Sequence, residues 1–157
     1  GGLITPVALL ASTGSGNLRP ATIEILLELH PTQLAKHAPS VVSHLLHANP
    51  EVRRAAMWVL RSVDADTAAW AAPAILAALG DEYEGVCELG TELVGGMDAS
   101  TLALHTSILM RQLVDERLPT ETGARTAVAL RRLEPQALRD AAGEDAGIHE
   151  ALCKHKL

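Results

Sequence analysis

The chain has 157 residues, of which 48% are hydrophobic and 2% aromatic, and its net charge is −6. This charge argues against a nucleic-acid-binding surface, which needs clustered lysine and arginine, and no apolar run reaches the roughly 18 residues that span a bilayer. The two cysteines form no CxxC pair, so no disulfide framework is expected. A core of Ala, Leu and Val without Phe favours closely packed helices. We therefore expect an all-helical, intracellular protein, soluble or peripheral, without a cofactor or a metal.

The predicted elements repeat along the chain as a helix, a short turn and a second helix. Four such units cover about residues 3–30, 32–64, 66–97 and 99–134, and residues 135–157 are expected to add a short helix and a frayed tail. Glycine, proline and polar residues mark the turns within the units. These turns are predicted at residues 12–17, 47–50, 80–85 and 117–123.

The segment from Asn49 to Val63 has the clearest helical pattern. Asn49 is a favourable N-cap residue, and Pro50 falls at the first helical position, where its missing N–H costs nothing. In the following unit, Asp66 is expected to cap a helix in the same way. Apolar residues after Pro50 keep the spacing of one helix face. They are Val52, Ala55, Ala56, Val59, Leu60 and Val63.

A shift of 34 residues relates this segment to both of its neighbours. Upstream, the shift superimposes Leu18-Arg19 on Val52-Arg53, and downstream it superimposes Val86 on Val52. The prolines of the preceding helices, Pro39 and Pro73, are related by the same shift, and each is expected to start or bend its helix. A fixed period of this length is typical of stacked-repeat proteins.

The second unit resembles the HEAT repeat family. The resemblance lies in a proline of the first helix, Asn49-Pro50 in the turn, Val52-Arg53 at the start of the second helix and an alanine soon after. It covers about residues 3–134 and implies an α-solenoid, a right-handed superhelix of about four helix pairs. It also implies that Arg53 bonds acidic groups or turn carbonyls of the neighbouring unit, and that the second helices line a concave groove. The period favours HEAT over armadillo repeats, which add a third short helix within about 40 residues.

Trp58 is the leading candidate for a binding residue. It lies off the apolar stripe of the second helix, on a face that it shares with Arg54 and Arg61. Trp and Arg are typical of binding hot spots, but the pattern also fits a Trp that packs on the next helix beneath the two Arg side chains. The same face in the other units is either an acidic part of the groove or an ordinary solvated surface. Its acidic residues are Glu24, Glu88 and Glu92.

Other chemistries find less support in the sequence. His37, His44 and His47 share one predicted helix, but a zinc site needs further ligands that the sequence does not place there. Motifs such as GxSxG or a P-loop do not occur. Trp70 is expected to be buried at a helix start.

We therefore predict a non-catalytic scaffold or adaptor, a subunit or fragment of a larger complex, that binds a protein or peptide partner. One alternative is a HEAT-like phycobilin lyase or chaperone that holds a tetrapyrrole, a group that the segment from Asn49 to Arg53 also resembles. A second alternative is a structural spacer.

Overall fold

The computed structural model describes residues 36–157, which form α-helices, a 3-10 helix and turns, without a β-strand in this range. The predicted all-helical class is thereby confirmed. We call α2, α5 and α8 the second helices. The α-helices of this range are α1 Ala38–His44, α2 Pro50–Arg61, α3 Ala65–Trp70, α4 Ala72–Ala77, α5 Glu84–Gly95, α6 Ala99–Leu104, α7 Thr106–Val114, α8 Thr122–Leu130, α9 Pro135–Ala142 and α10 Ala146–Lys154, and the 3-10 helix Ala78–Gly80 follows α4.

The folded chain divides into two compact units, Gly1–Ala74 and Ile75–Leu157, and the boundary lies within α4. From here on, the first and second unit are these two, and the four segments predicted from the sequence are called repeats. Helix starts nevertheless recur at the period of the sequence. Helices α1, α4 and α7 begin at positions 38, 72 and 106, and α2 and α5 begin at positions 50 and 84, so both series have a spacing of 34. The short helices α3 and α6 begin at positions 65 and 99 and keep the same spacing. Helix α8 departs from it, because it begins at position 122 after a longer turn.

Two of the helices that precede a second helix are divided into two parts. The first break lies at Ala71, between α3 and α4, where Pro73 in the first turn of α4 needs no N–H partner. The second break lies at His105, between α6 and α7, without a proline. The sequence leaves little room for a third short helix in a 34-residue unit, yet the structure has one in each of these repeats.

Helix α2 shows how local sequence sets a helix start and its buried face. The Asn49 side chain accepts a hydrogen bond from the N–H of Glu51 (2.8 Å), and Pro50 is the first helical residue. Burial of the apolar face then stabilises the helix, at about 25 cal/mol per Å² of apolar surface. The buried residues are Val52, Ala55, Ala56, Met57, Val59 and Leu60.

In the second unit, each helix group contacts the next group along the chain. Helix α5 and the 3-10 helix contact α8, and α7 contacts α9 and α10. Side chains of the later group also satisfy carbonyl groups at helix ends of the earlier one, which would otherwise lack partners. Gln112 Nε2 donates to Leu76 O (2.7 Å), Arg125 Nη1 donates to Leu79 O (3.1 Å), and Arg132 donates to Val94 O (2.9 Å) and to Met97 O.

The last 23 residues, 135–157, form two helices where the sequence predicts one and a frayed tail. Gly143 ends α9 with φ 57°, a left-handed conformation that favours glycine. Asp145 then caps α10 by accepting a hydrogen bond from the N–H of Ile148 (3.1 Å). This cap and the burial of Leu152 stabilise α10 despite Gly147 in its first turn.

Candidate protein-binding surface

Trp58 lies on α2 with one ring face covered by an arginine. The ring is half-buried, and the guanidinium carbon of Arg61 lies 4.9 Å from the ring centroid. This is a cation–π contact, worth about 0.5–1 kcal/mol at an exposed site. Arg61 therefore covers part of the Trp58 ring, and the rest of the ring and the guanidinium form one amphipathic surface.

Arg54 lies on the same face of α2, one turn before Trp58. Its Nη1 atom lies 3.8 Å from a carboxylate oxygen of Glu51, and about two fifths of each side chain is exposed (42% and 40%). An exposed pair of this kind contributes at most about 1 kcal/mol and exchanges readily for another partner. Glu51 therefore belongs to this face. Its spacing of three residues from Arg54 could have identified it in the sequence.

Helix α5 exposes the acidic residues predicted for the third repeat, residues 66–97. Glu88 and Glu92 are exposed, and Glu84, at the same spacing of four residues, extends the row by one turn. Like charges at this spacing destabilise a helix by about 0.2–0.5 kcal/mol per pair. On α8, the next second helix, Val128 is 55% exposed. Glu24 lies outside the described residues.

Trp70 is exposed, so its predicted burial at a helix start was wrong. It is the last residue of α3 and 57% exposed, whereas Ala71 and Ala72 at the break are buried. Leu104, 34 positions later at the end of α6, is 80% exposed. The structure therefore reveals a second apolar candidate, at a position where only the tertiary fold decides the exposure.

The residues of the HEAT-like pattern occupy helix starts and turns. Pro39 and Pro73 lie in the first turns of α1 and α4, and Val52 is buried on α2. Arg53 Nη1 donates to the carbonyl oxygens of His47 (2.9 Å) and Ala48 (3.1 Å). These are turn carbonyls, as the resemblance implies, but they belong to the turn directly before α2.

Two histidines of helix α1 and the turn after it, His44 and His47, contact neighbouring backbone groups. His44 Nδ1 lies 2.7 Å from Ser40 O, and the Nδ1 atom of His47 accepts a hydrogen bond from the Asn49 N–H (2.9 Å). Residues 36–157 contain no group of three or more His, Cys, Asp or Glu side chains placed to hold a metal ion. Burial raises the pKa of the Cys87 thiol, which disfavours the reactive thiolate.

Comparisons with protein-family models, with curated proteins and with solved structures find no match to the chain. The HEAT resemblance therefore stays a prediction from the residues quoted above. Among the helices that the structure describes, none has the length and apolar character needed to cross a membrane.

Proposed function

We propose that the chain is a HEAT- or armadillo-like α-solenoid that binds a protein or peptide partner through the exposed faces of its second helices. The observation that carries this proposal is the recurrence of helix starts 34 residues apart, in three series of helices. A helical unit of this size cannot bury its apolar face alone, so successive units stack. The contacts of α5 with α8, and of α7 with α9 and α10, support such stacking in the second unit. The family resemblance adds the expected right-handed superhelix.

The exposed faces of the second helices support the binding role. On α5, Glu84, Glu88 and Glu92 form an acidic row along the exposed side, and such a row is complementary to a cationic partner segment. On α2, Trp58 and Arg61 offer an aromatic ring and a guanidinium, the residue types that dominate binding hot spots. Taken separately, the α5 face suits basic residues of a partner, and the α2 face suits an apolar or acidic segment.

The test compares two tryptophan variants. The partner is captured from the native source with the wild-type chain and identified by mass spectrometry, and its affinity for each variant is measured by titration calorimetry. Trp58→Ala is expected to weaken binding at least about tenfold, because it removes the aromatic ring that Arg61 covers. Helicity should remain nearly unchanged by circular dichroism. Trp70→Ala, on the short helix α3, is the matched control and should bind as the wild type does.

A charge reversal tests the acidic row separately. Glu88→Lys on α5 should weaken binding and reduce its salt dependence, whereas Glu150→Lys, also at an exposed position, on α10, should leave both unchanged. Equal affinities for wild type, Trp58→Ala and Glu88→Lys would exclude the second helices as the binding surface. A loss confined to Trp70→Ala would move the surface to the short first helices.

A further inference from the structure

The negative charge of the chain is concentrated in its second unit. In residues 1–74 the acidic side chains equal lysine and arginine in number, so the net charge of −6 falls on residues 75–157. Between Arg61 and Arg111 the sequence contains no lysine or arginine, and this stretch includes the acidic row of α5. The kind of ligand that suits this row depends on what the neighbouring helix α8 presents beside it.

Helices α5 and α8 contact each other and run in the same direction. In the first turn of α8, Arg125 donates to Leu79 O (3.1 Å), ahead of α5, and just after α8 ends, Arg132 donates to Val94 O (2.9 Å), in the last turn of α5. Burial raises the pKa of the Cys87 thiol, and the positive charge of Arg125 opposes that rise. Cys87 and Arg125 therefore lie close together, where the two helices face each other.

The acidic row lies on the same side of this helix pair as the exposed apolar residues of α8. Successive residues are turned by about 100° around a helix axis. Glu88 follows Cys87 by one position and Ala124 precedes Arg125 by one, and in two parallel helices that face each other these opposite steps point to the same side. Ala124 is exposed there, and Val128, one turn later, is 55% exposed. We call this side the acidic-apolar face, which consists of Glu84, Glu88 and Glu92 on α5 and of Ala124 and Val128 on α8.

Three arginines near the acidic-apolar face donate to backbone carbonyl groups at the carboxyl ends of helices. The bonds run from Arg125 to Leu79 O (3.1 Å), from Arg131 to His155 O (3.1 Å) and from Arg132 to Val94 O (2.9 Å). Each guanidinium group is thus engaged with the partial negative charge of a helix end. Glu84 and Glu88, by contrast, are exposed, and Glu121, exposed at the start of α8, adds a further carboxylate. The carboxylates and the apolar residues together are complementary to a segment that combines basic and apolar side chains.

We propose that the acidic-apolar face binds a cationic amphipathic helix of the partner protein. Apolar residues of that helix, one turn apart, contact Ala124 and Val128, and lysine or arginine side chains beside them contact Glu84 and Glu88. Both rows of the face repeat every four residues, which is the spacing that a helix presents along one side. Because it names the segment that two of the second helices receive, this proposal rests on the proposed function, but it does not involve Trp58 on α2.

The probe is the peptide LKKLLKLLKKLLKL, which as a helix places its leucines on one side and its lysines on the other. One control peptide has glutamate in place of each lysine, and a second has the same composition in an order without an amphipathic side. The probe should shift the amide signals of Glu88 and Val128 saturably in the full ¹⁵N-labelled chain, and added salt should weaken its binding. The glutamate peptide should not bind, and the reordered peptide should bind about tenfold more weakly or worse. Equal affinity for the reordered peptide, or shifts confined to other helices, would overturn the proposal.

Two double variants test the acidic part of the face. Glu84→Gln with Glu88→Gln should weaken the probe about tenfold, which corresponds to about threefold for each exposed ion pair. Glu144→Gln with Glu150→Gln changes the net charge equally at exposed positions before and on α10, and should leave the affinity within about twofold of the wild type. An equal loss in the two double variants would show that net charge alone attracts the peptide, and would contradict this site.

Two valine variants test the apolar part. Val128→Ser should weaken the probe about threefold or more, because it removes apolar surface that the peptide covers. Val114→Ser, at a position 39% exposed at the end of α7, is the matched control and should bind as the wild type does, as should Trp58→Ala. Circular dichroism should show wild-type helicity in each variant, since the replaced valines are exposed. Wild-type affinity in Val128→Ser would refute an amphipathic ligand.

Competition with the captured partner separates this proposal from the proposed function. The probe should displace the partner from the wild-type chain, and Val128→Ser should weaken the partner as it weakens the probe. A partner that Trp58→Ala weakens but that the probe does not displace would support binding through the second helices and would refute the amphipathic helix. Localised binding of the probe, together with a partner that neither Trp58→Ala nor Glu88→Lys weakens, would refute the proposed function instead.

Discussion

Replacing Gln112 by methionine should destabilise the second unit by about 2 kcal/mol. The Gln112 side chain donates to Leu76 O (2.7 Å) and accepts from Thr126 Oγ1 (3.3 Å), and both partner residues are fully buried. Leaving a buried carbonyl or hydroxyl without a partner costs about 1–3 kcal/mol each. We take the low end for both, because the Thr126 bond is long and the methionine side chain gains some apolar burial. Urea unfolding followed by circular dichroism measures the change.

The matched control is Gln136→Met on α9. Gln136 is exposed, and its hydrogen bonds to Asp140 and Arg139 stay within one helix, so this change should alter the unfolding free energy by less than about 0.5 kcal/mol. Adding Thr126→Val to Gln112→Met should cost less than the sum of the two single changes, because the hydroxyl without a partner is then removed. If Gln112→Met costs no more than Gln136→Met, the side chain does not join α7 to α4.

Two further predictions concern titratable groups. A thiol reagent should label the exposed Cys153 in the native chain and should label the buried Cys87 only on unfolding. Burial raises the pKa of the Cys87 thiol more than the positive charge of Arg125 lowers it, so little thiolate is present in the folded state. Rapid labelling of Cys87 in the native chain would contradict its burial. Hydrogen bonds from the Thr67 side chain and N–H hold the pKa of Asp64 below its ordinary value of 3.8, so a carboxyl NMR titration should give a midpoint under that value. The stability from this cap is then fully present above the unfolded-state pKa and is lost as the pH falls through the folded-state pKa, a dependence that Asp64→Asn should remove.

Much of the fold could be predicted because helix starts are encoded by adjacent residues. Asn49-Pro50 places the start of α2 where the structure has it, and the spacing of Pro39 and Pro73 fixes two more helices. Capping was harder to assign where two candidates lie close together. Asp64 accepts from the N–H of Thr67 (2.8 Å), whereas Asp66, the predicted cap, lies inside the first turn of α3.

The features that the sequence missed depend on packing between distant segments. No proline or glycine marks the break at His105, and neither composition nor spacing distinguishes an exposed Trp70 from a buried one. Residues between 112 and 123 line a cavity together with Lys154 and His155, and these segments meet only when α7 contacts α10. On α2, the sequence placed Trp58 beside Arg61 correctly on one face, but the stacking of the two side chains follows from their rotamers.

Methyl–methyl NOE contacts test most directly whether the helix groups are stacked in order. In a methyl-labelled sample, Val86 and Leu89 of α5 should show cross-peaks to Leu130 and Ala127 of α8, and Leu109 and Leu113 of α7 should show cross-peaks to Leu138 and Leu152 of the last two helices. Equally strong cross-peaks from the α5 methyl groups to Leu138 and Leu152 would instead indicate a bundle around one centre, and would contradict a solenoid.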